Sequence, residues 1–175
     1  FYLHQLVQEG VKVSYIAGNH DFWLNSFLSK DIGLNIIYNS LSVTHQNKKI
    51  FIAHGDGLIA KDKGYKILKY ILRWPPNIWL FKLIHPDLGV YLAEKISHFS
   101  RHFLSKEKKF DFLKEFDLLA QEKFKEAYDA VILGHAHIPW IKKHEDKYHI
   151  NTGNWIKDFS YVVLHQGKFS LNFWQ

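Results

Sequence analysis

Three short stretches set ligand-type and proton-transfer side chains directly after apolar runs: YIAGNHD at 15–21, FIAHGDG at 51–57 and VILGHAH at 131–137. An apolar run, a glycine and histidine recur in each, joined by asparagine or aspartate in the first two. The donors presented are Asn19, His54, His135 and His137. Imidazole nitrogen and amide oxygen, without thiolate, suit Mn, Fe, Zn or Co better than calcium. In GHAH the two imidazoles flank the small Ala136, so an extended backbone would point both to one side. Ligands of helix-flanked sheets gather beyond the carboxyl ends of the strands, so three strands ending this way predict one shared site. A pair of metals there can grip a phosphate and activate a water for in-line attack. Each segment alone has a plainer reading: a capped turn at 19–21, a strand-end histidine at 54, surface histidines ahead of Pro139. Ordered, and each after a strand, the three favour the metal site.

The elements that must carry these residues can be read from periodicity and turn residues. Short strands are expected at Val11–Ala17, Leu34–Tyr38, Leu41–Gln46, Lys49–Ala53 and Asp129–Leu133, with a turn at Asn47. Three more are expected around Tyr148–Asn151, Tyr161–His165 and Phe169–Phe173. Phe22–Ser29 and Lys61–Arg73 read as helices, the second stopped by Pro75-Pro76. One or two further helices fill Ile78–Leu104. The clearest helix is Phe110–Tyr128, where Leu113, Phe116, Ala120, Phe124 and Ala127 keep a helical period. Helices and strands alternate early and strands dominate late, which predicts layered sheets covered by helices.

Composition narrows the classes. The 175 residues, 47% of them hydrophobic, suffice for one domain with a sizeable core. The absence of cysteine removes disulfides, thiolate zinc sites and cysteine nucleophiles. A net charge of +6 suits an anionic partner. No signal peptide is visible. Phe1–Gly10 reads as the tail of an amphipathic helix with no initiator methionine, so the expectation is a domain that begins in mid-fold, N-terminally truncated.

GNHD at 18–21, HGD at 54–56 and GHAH at 134–137 resemble the last three signatures of the calcineurin-like metallophosphoesterases. The resemblance implies an α/β, four-layer α-β-β-α sandwich over residues 1–175 with a helical lid insertion at about 62–128, its first strands missing. It implies two divalent metal ions, most often Mn, held here by Asn19, His54, His135 and His137. His20 would face the substrate phosphate and assist as acid, with Asp21 orienting it through a hydrogen bond. That family's two earlier signatures, Asp-x-His and Gly-Asp-x-x-Asp, do not occur in this chain. Without their bridging carboxylate, weak metal binding is expected.

The stretch HGDGLIAKDKGYKILKYILR at 54–73 narrows the resemblance to UDP-2,3-diacylglucosamine diphosphatases, lipid A pathway enzymes that release UMP and an acylated sugar phosphate. By that likeness Asp62 and Tyr65 would contact the substrate, and residues 65–104 would form a lid over the acyl chains. Ser100, Arg101 and Lys106 would meet the glucosamine or the diphosphate. Asp62 and Tyr65 have an equal alternative in capping and packing their helix. Residues 65–92 hold more apolar surface than one helix face can turn to a core. Lys66, Lys69, Arg73, Lys82 and the proline pair interrupt the run, so it is no membrane span. Apolar helices edged with Lys and Arg fit an acyl chamber beside an anionic membrane surface, which implies a peripheral enzyme on the cytoplasmic face of the inner membrane. Ordinary core is the competing reading of these aromatics. His4, His45, His85, His144, His149 and His165 read as surface or partly buried residues, and His98 with His102 as a solvent or lid face. The rival functions are a metallophosphoesterase for another nucleotide or phosphomonoester, and a metal-poor scaffold of the same fold. Nothing points to nucleic acid.

Overall fold

In a computed structural model, the structure describes residues 2–21, 24, 26–59, 63–85, 87–92, 94–95 and 106–175, without the side chains of 63–66, 68, 82 and 106–111. The architecture is mixed α/β. A helix α1 (Tyr2–Gln8) leads into β1 (Ser14–Ile16), which pairs in parallel with β2 (Asn35–Ile37) across the short helix α2 (Phe27–Lys30). The central sheet has five strands in the order β3-β4-β5-β7-β6. These are β3 (Ser40–His45), β4 (Lys48–Ala53), β5 (Ala130–Leu133), β6 (Pro139–His144) and β7 (Lys147–Thr152). The helices α3 (Lys63–Leu72), α4 (Pro75–Lys82) and α5 (Lys106–Lys125) enter between β4 and β5, with further helical residues at 87–92. The hairpin β8 (Ser160–His165) and β9 (Lys168–Phe173) ends the chain.

The central strands β4, β5 and β7 run parallel to one another, and β3 and β6 close the edges antiparallel. Parallel strands buried on both faces need near-continuous apolar sequence, which KIFIA and AVIL supply. Their alternation divides the core in two. Phe51, Ala53, Val131 and Leu133 meet Leu113, Phe116, Ala120 and Phe124 of α5 on one face. Ile50, Ala130 and Ile150 meet Phe169, with Val162 and Leu164, on the other. The order is thus helix, sheet, hairpin sheet. Each fully buried Leu or Phe on α5 contributes about 1.5–3 kcal/mol, so this stripe, with Phe116 at 0% exposure, fixes the helix to the sheet. The helical insertion expected at about 62–128 therefore ends in a core helix, whereas Ile67, Tyr70, Trp79 and Leu83 of α3 and α4 and the loop beyond stand exposed. That exposure removes the reading of the stretch as ordinary core.

Several boundaries differ from the sequence expectation. The first strand is Ser14–Ile16 rather than Val11–Ala17. The first connecting helix is Phe27–Lys30 rather than Phe22–Ser29, with Phe22, Trp23 and Asn25 outside the described residues. Pro75-Pro76 ends α3 and also opens α4, since the first helical turn needs no N–H donor from proline. Strand β6 was not expected, because Pro139 reads as a breaker. It is tolerated as the first residue of an edge strand. The Gln46-Asn47 turn was expected at Asn47, and its two positive φ values suit a two-residue hairpin loop. The Gln46 side chain then hooks the last hairpin: its Nε2 donates to the Leu164 carbonyl at 3.1 Å and its Oε1 accepts from the Gly167 N–H at 2.8 Å.

His149 is the main correction among the histidines. It is not a surface or partly buried residue but wholly buried, on the face of β6 and β7 that meets α5. There Asp117 of α5 accepts from Lys142 Nζ at 2.6 Å, His144 Nε2 at 2.6 Å and His149 Nδ1 at 3.3 Å. Trp140 stands edge-on to the His149 ring at 4.8 Å. Burial alone would raise the Asp117 carboxyl, but these donors hold it down at about 2. Burial pushes His149 down to about 4, against the pull of Asp117.

Both shifts make acid destabilising. His149 is neutral in the fold and takes a proton near pH 6.5 when unfolded, so its contribution is complete above pH 6.5 and is lost as pH falls through about 4. Asp117 adds a loss between the ordinary carboxylate range and about pH 2. Unfolding free energies from urea titrations at pH 7 to 4 should fall in the wild type by on the order of 2–4 kcal/mol more than in His149→Phe. Parallel profiles for the two proteins would remove His149 as the cause.

Candidate active site at the carboxyl edge

The parallel pairing of β4 with β5 sets Ala53 opposite Leu133, so His54 and Gly134-His135 leave the sheet side by side. The Gly134 N–H donates to the His54 carbonyl at 3.0 Å, tying the two exits together. The loop after β1 arrives from the other sheet and brings Asn19 Oδ1 to 2.9 Å from His54 Nε2. The His54 and His135 rings lie 5.3 Å apart, nearly perpendicular. The structure therefore gathers Asn19, His54 and His135 at one edge, with His137 and His20 near enough to act on the charge of both imidazoles. His135 and His137 hold φ angles of 62° and 56°, a left-handed geometry uncommon outside glycine. Such outliers persist where surrounding structure over-determines them, and they cluster at functional sites.

Gly18 is required by this approach. A Cβ there would lie 3.0 Å from His54 Cε1 and 3.1 Å from its Nε2. Asp21 does not do what was expected of it. Its Oδ1 accepts from the Gly18 N–H at 2.5 Å and its other oxygen accepts from the Tyr15 hydroxyl. That makes it a clamp on its own loop rather than a partner orienting His20. Burial, with Asp21 as acceptor and as a nearby charge, pushes the Tyr15 hydroxyl up to about 12.

Asp56 is buried and faces the helices rather than the imidazoles. Its carboxylate meets Lys69 Nζ at 2.7 Å and Arg73 Nη2 at 3.6 Å, and Lys69 also donates to its carbonyl at 3.0 Å. Burial alone would raise this carboxyl, but Lys69, with His54 and Arg73, holds it below the usual range. Lys69 and Arg73, read in the sequence as charges edging the lid, thus anchor α3 to the HGD loop. Their spacing of four residues on a helix was the signal available. Asp62, Ser100 and Arg101 lie outside the described residues, as do His98 and His102. Tyr65 and Lys106 fall on α3 and α5, their side chains outside the described set.

Burial lowers the pKa of His54, with Asp56 and Asp21 pulling the other way. Burial, then the neighbouring His54, pushes His135 down to about 4. Both rings are therefore neutral with nitrogen lone pairs available, the form that ligates a metal. With the Asn19 amide oxygen they make a donor set whose chemistry fits a divalent cation of the Mn, Fe, Zn or Co type. Among the described residues, no three His, Asp or Glu side chains form a metal-holding group. A donor set made of neutral groups should bind a divalent cation weakly. Titrating the chain with Mn²⁺ should give binding well short of two ions per chain at moderate metal excess. A tight stoichiometry of two would overturn this.

No family profile matches the chain. It is 29% identical over 176 residues to a UDP-2,3-diacylglucosamine hydrolase of Porphyromonas gingivalis, covering 91% of this chain and 67% of that protein. It is 26% identical over 175 residues to the UDP-2,3-diacylglucosamine hydrolase of Psychromonas ingrahamii, covering 94% of this chain and 69% of that one. A solved archaeal phosphodiesterase overlays with a TM-score of 0.46 and 16% identity over 98% of this chain and 74% of its own, too loose a likeness to build on. The curated likenesses extend over all three strand-end motifs, and the chain is similar to the UDP-2,3-diacylglucosamine hydrolases along nearly all of its length.

Proposed function

We propose that this protein is a phosphoester hydrolase that cleaves the diphosphate of UDP-2,3-diacylglucosamine to UMP and 2,3-diacylglucosamine 1-phosphate, a step of lipid A biosynthesis. The observation that carries the reading is the meeting of Asn19, His54 and His135 beyond the ends of β1, β4 and β5. The similarity to hydrolases named for this substrate supports it.

Asn19, His54, His135 and His137 would hold the divalent metal centre, two ions in all, with manganese first and Fe, Zn or Co suited to the same donors. When bound, such a centre supplies charge that grips phosphate oxygens and lowers the pKa of water. The chain's own residues do the rest. His54 and His135 present neutral nitrogens because burial keeps them deprotonated. Gly18 leaves room for the His54 ring, and Asp21 holds the GNHD loop through Gly18 and Tyr15. His20, exposed at this edge, would meet the phosphate and protonate the departing oxygen. Asp56, Lys69 and Arg73 tether α3 to the loop that carries His54. The exposed apolar side chains of α3 and α4 would receive the acyl chains. Asp62, Tyr65, Ser100, Arg101 and Lys106 are the proposed substrate contacts.

A metal-poor scaffold of the same fold is the second reading. It draws on the lack of a three-residue His, Asp or Glu group among the described residues. A manganese-supplemented assay of the protein encoded by its full reading frame separates the two. UMP should appear from UDP-2,3-diacylglucosamine. Asn19→Ala and His135→Ala should each lower the rate by more than the roughly 10–100-fold typical of a metal's outer partners. Cleavage of simple nucleotide diesters alone would favour another phosphoesterase, and no turnover of either would favour the scaffold.

No helix among the described residues is long and apolar enough to cross a membrane. We place the protein peripherally on the cytoplasmic face of the inner membrane, through the apolar helices and the net positive charge. It should float with anionic liposomes at low salt and less at high salt. Flotation independent of salt and lipid charge would remove the electrostatic part.

A further inference from the structure

We propose that Asn151 and Asn154 are positioning residues that set the aim of His135 and His137, by donating hydrogen bonds to the two carbonyls that bracket the GHAH turn. The inference rests on the reading of these histidines as the phosphoesterase site and adds what holds them there.

The turn needs external support. Two non-glycine residues in left-handed backbone, His135 and His137, each cost free energy that local sequence does not repay. Gly134 follows the last paired residue of β5, and its carbonyl already accepts from the Ala136 N–H at 2.7 Å. Strand β7 lies alongside in parallel, with Asn151 in register with Leu133, so the Asn151 side chain leaves the sheet level with the start of the turn. It is fully buried. Its Nδ2 donates to the Gly134 carbonyl at 2.5 Å, and its Oδ1 accepts from the Gly153 N–H at 3.2 Å. Both ends of the amide are used, which fixes which end faces the turn.

Asn154 does the same for the other side. Its Oδ1 accepts from the N–H groups of Lys157 at 2.8 Å and Ile156 at 3.2 Å, leaving Nδ2 to donate to the Asp158 carboxylate and to the His137 carbonyl at 3.3 Å. Between the two, the backbone is crowded into place. Gly153 has φ +78°, and a Cβ there would lie 2.2 Å from Ser160 Oγ and 2.8 Å from Pro139 Cγ. Ser160 Oγ donates to the Thr152 carbonyl at 2.7 Å, closing the segment onto β8. The run NTGN at 151–154 is therefore one brace, with two amide nitrogens spaced to meet two carbonyls of the neighbouring loop. A carboxylate in place of either amide would set acceptor against acceptor.

The test uses the whole chain and two variants. Asn151→Asp keeps the shape and removes the donor. Asn154→Ser keeps an acceptor for the following N–H groups and removes Nδ2, at a less buried position that the fold should tolerate. Imidazole ¹⁵N–¹H correlations are read without metal, and Co²⁺ affinity is read by its visible absorption. The His135 and His137 signals should shift or broaden in both variants, while His45 and His165, at the far end of the strands, stay in place. Co²⁺ affinity should fall by about 10–100-fold, as it does when outer partners of ligands are lost. Lower melting temperatures with unchanged His135 and His137 signals would overturn the proposal, since that is what a merely structural role predicts. If Asn151→Asp does not fold, Asn154→Ser decides alone. If the wild type takes up no Co²⁺, the metal reading fails, and the metal-free imidazole signals still decide the brace.

Discussion

The parallel register of β4 on β5 is the constraint on which the site depends. Ala53 opposite Leu133 puts two strand exits side by side, and the Gly134 N–H to His54 carbonyl bond locks them. A slip of one residue would reverse the faces of an entire strand. It would exchange Phe51 and Ala53, which meet α5, for Ile50 and Ile52, which belong to the other core. The two cores therefore protect the register, and the register places the histidines. Parallel pairing carries a long connection as its cost, and here the connection holds α3, α4 and α5. The helices of that connection are thus a consequence of the same pairing that builds the site.

Charge placement follows a related logic. The edge that gathers His54 and His135 keeps them neutral by burial, while the two carboxylates closest in sequence are drawn off elsewhere. Asp21 binds its own loop and Tyr15; Asp56 binds Lys69 and Arg73. A buried carboxylate is tolerable only when paired, and each pairing is also mechanical. Asp21 holds the GNHD loop against the His54 ring. Asp56 holds α3 against the HGD loop. On the far side of α5, Asp117 pins the helix to β6 and β7 through Lys142, His144 and His149. Two buried acids, Asp56 and Asp117, thus fasten separate elements together, and the half-buried Asp21 fastens its own loop.

What could be read from sequence was whatever is local. The three strand–glycine–histidine segments are short patterns, although GHAH takes a left-handed turn at His135 and His137 rather than the extended backbone expected of it. The stripe Leu113, Phe116, Ala120, Phe124 is likewise local, and it became the core face of α5. Two-residue hairpin loops betray themselves by their residues and produced the expected pairing at Gln46-Asn47. Strand β6 was hidden because Pro139 is a breaker everywhere except at the start of an edge strand, and edge position is a property of the finished sheet. His149 was hidden because its partner Asp117 lies 32 residues away, and nothing local marks a histidine for full burial. Asp21 was misassigned because adjacency to His20 suggested a contact, whereas the loop turns its carboxylate back to Gly18.

Asn151 shows where local and non-local information meet. It stands one residue before the end of β7, ahead of Gly153, where Asn19 and His135 stand just beyond theirs. By pattern alone it belongs with the donors. Its strand, β7, is the third parallel neighbour at the same edge, so topology brings it to the same place. What excludes it from the donor set is its burial and the engagement of both ends of its amide, by the Gly134 carbonyl and the Gly153 N–H. The strand-end pattern selects residues that reach this edge. Whether such a residue offers its lone pairs to a ligand or spends them on the backbone depends on the strand beside it. Here β5 turns outward through two left-handed histidines, and β7 supplies the bonds that such a turn cannot make for itself.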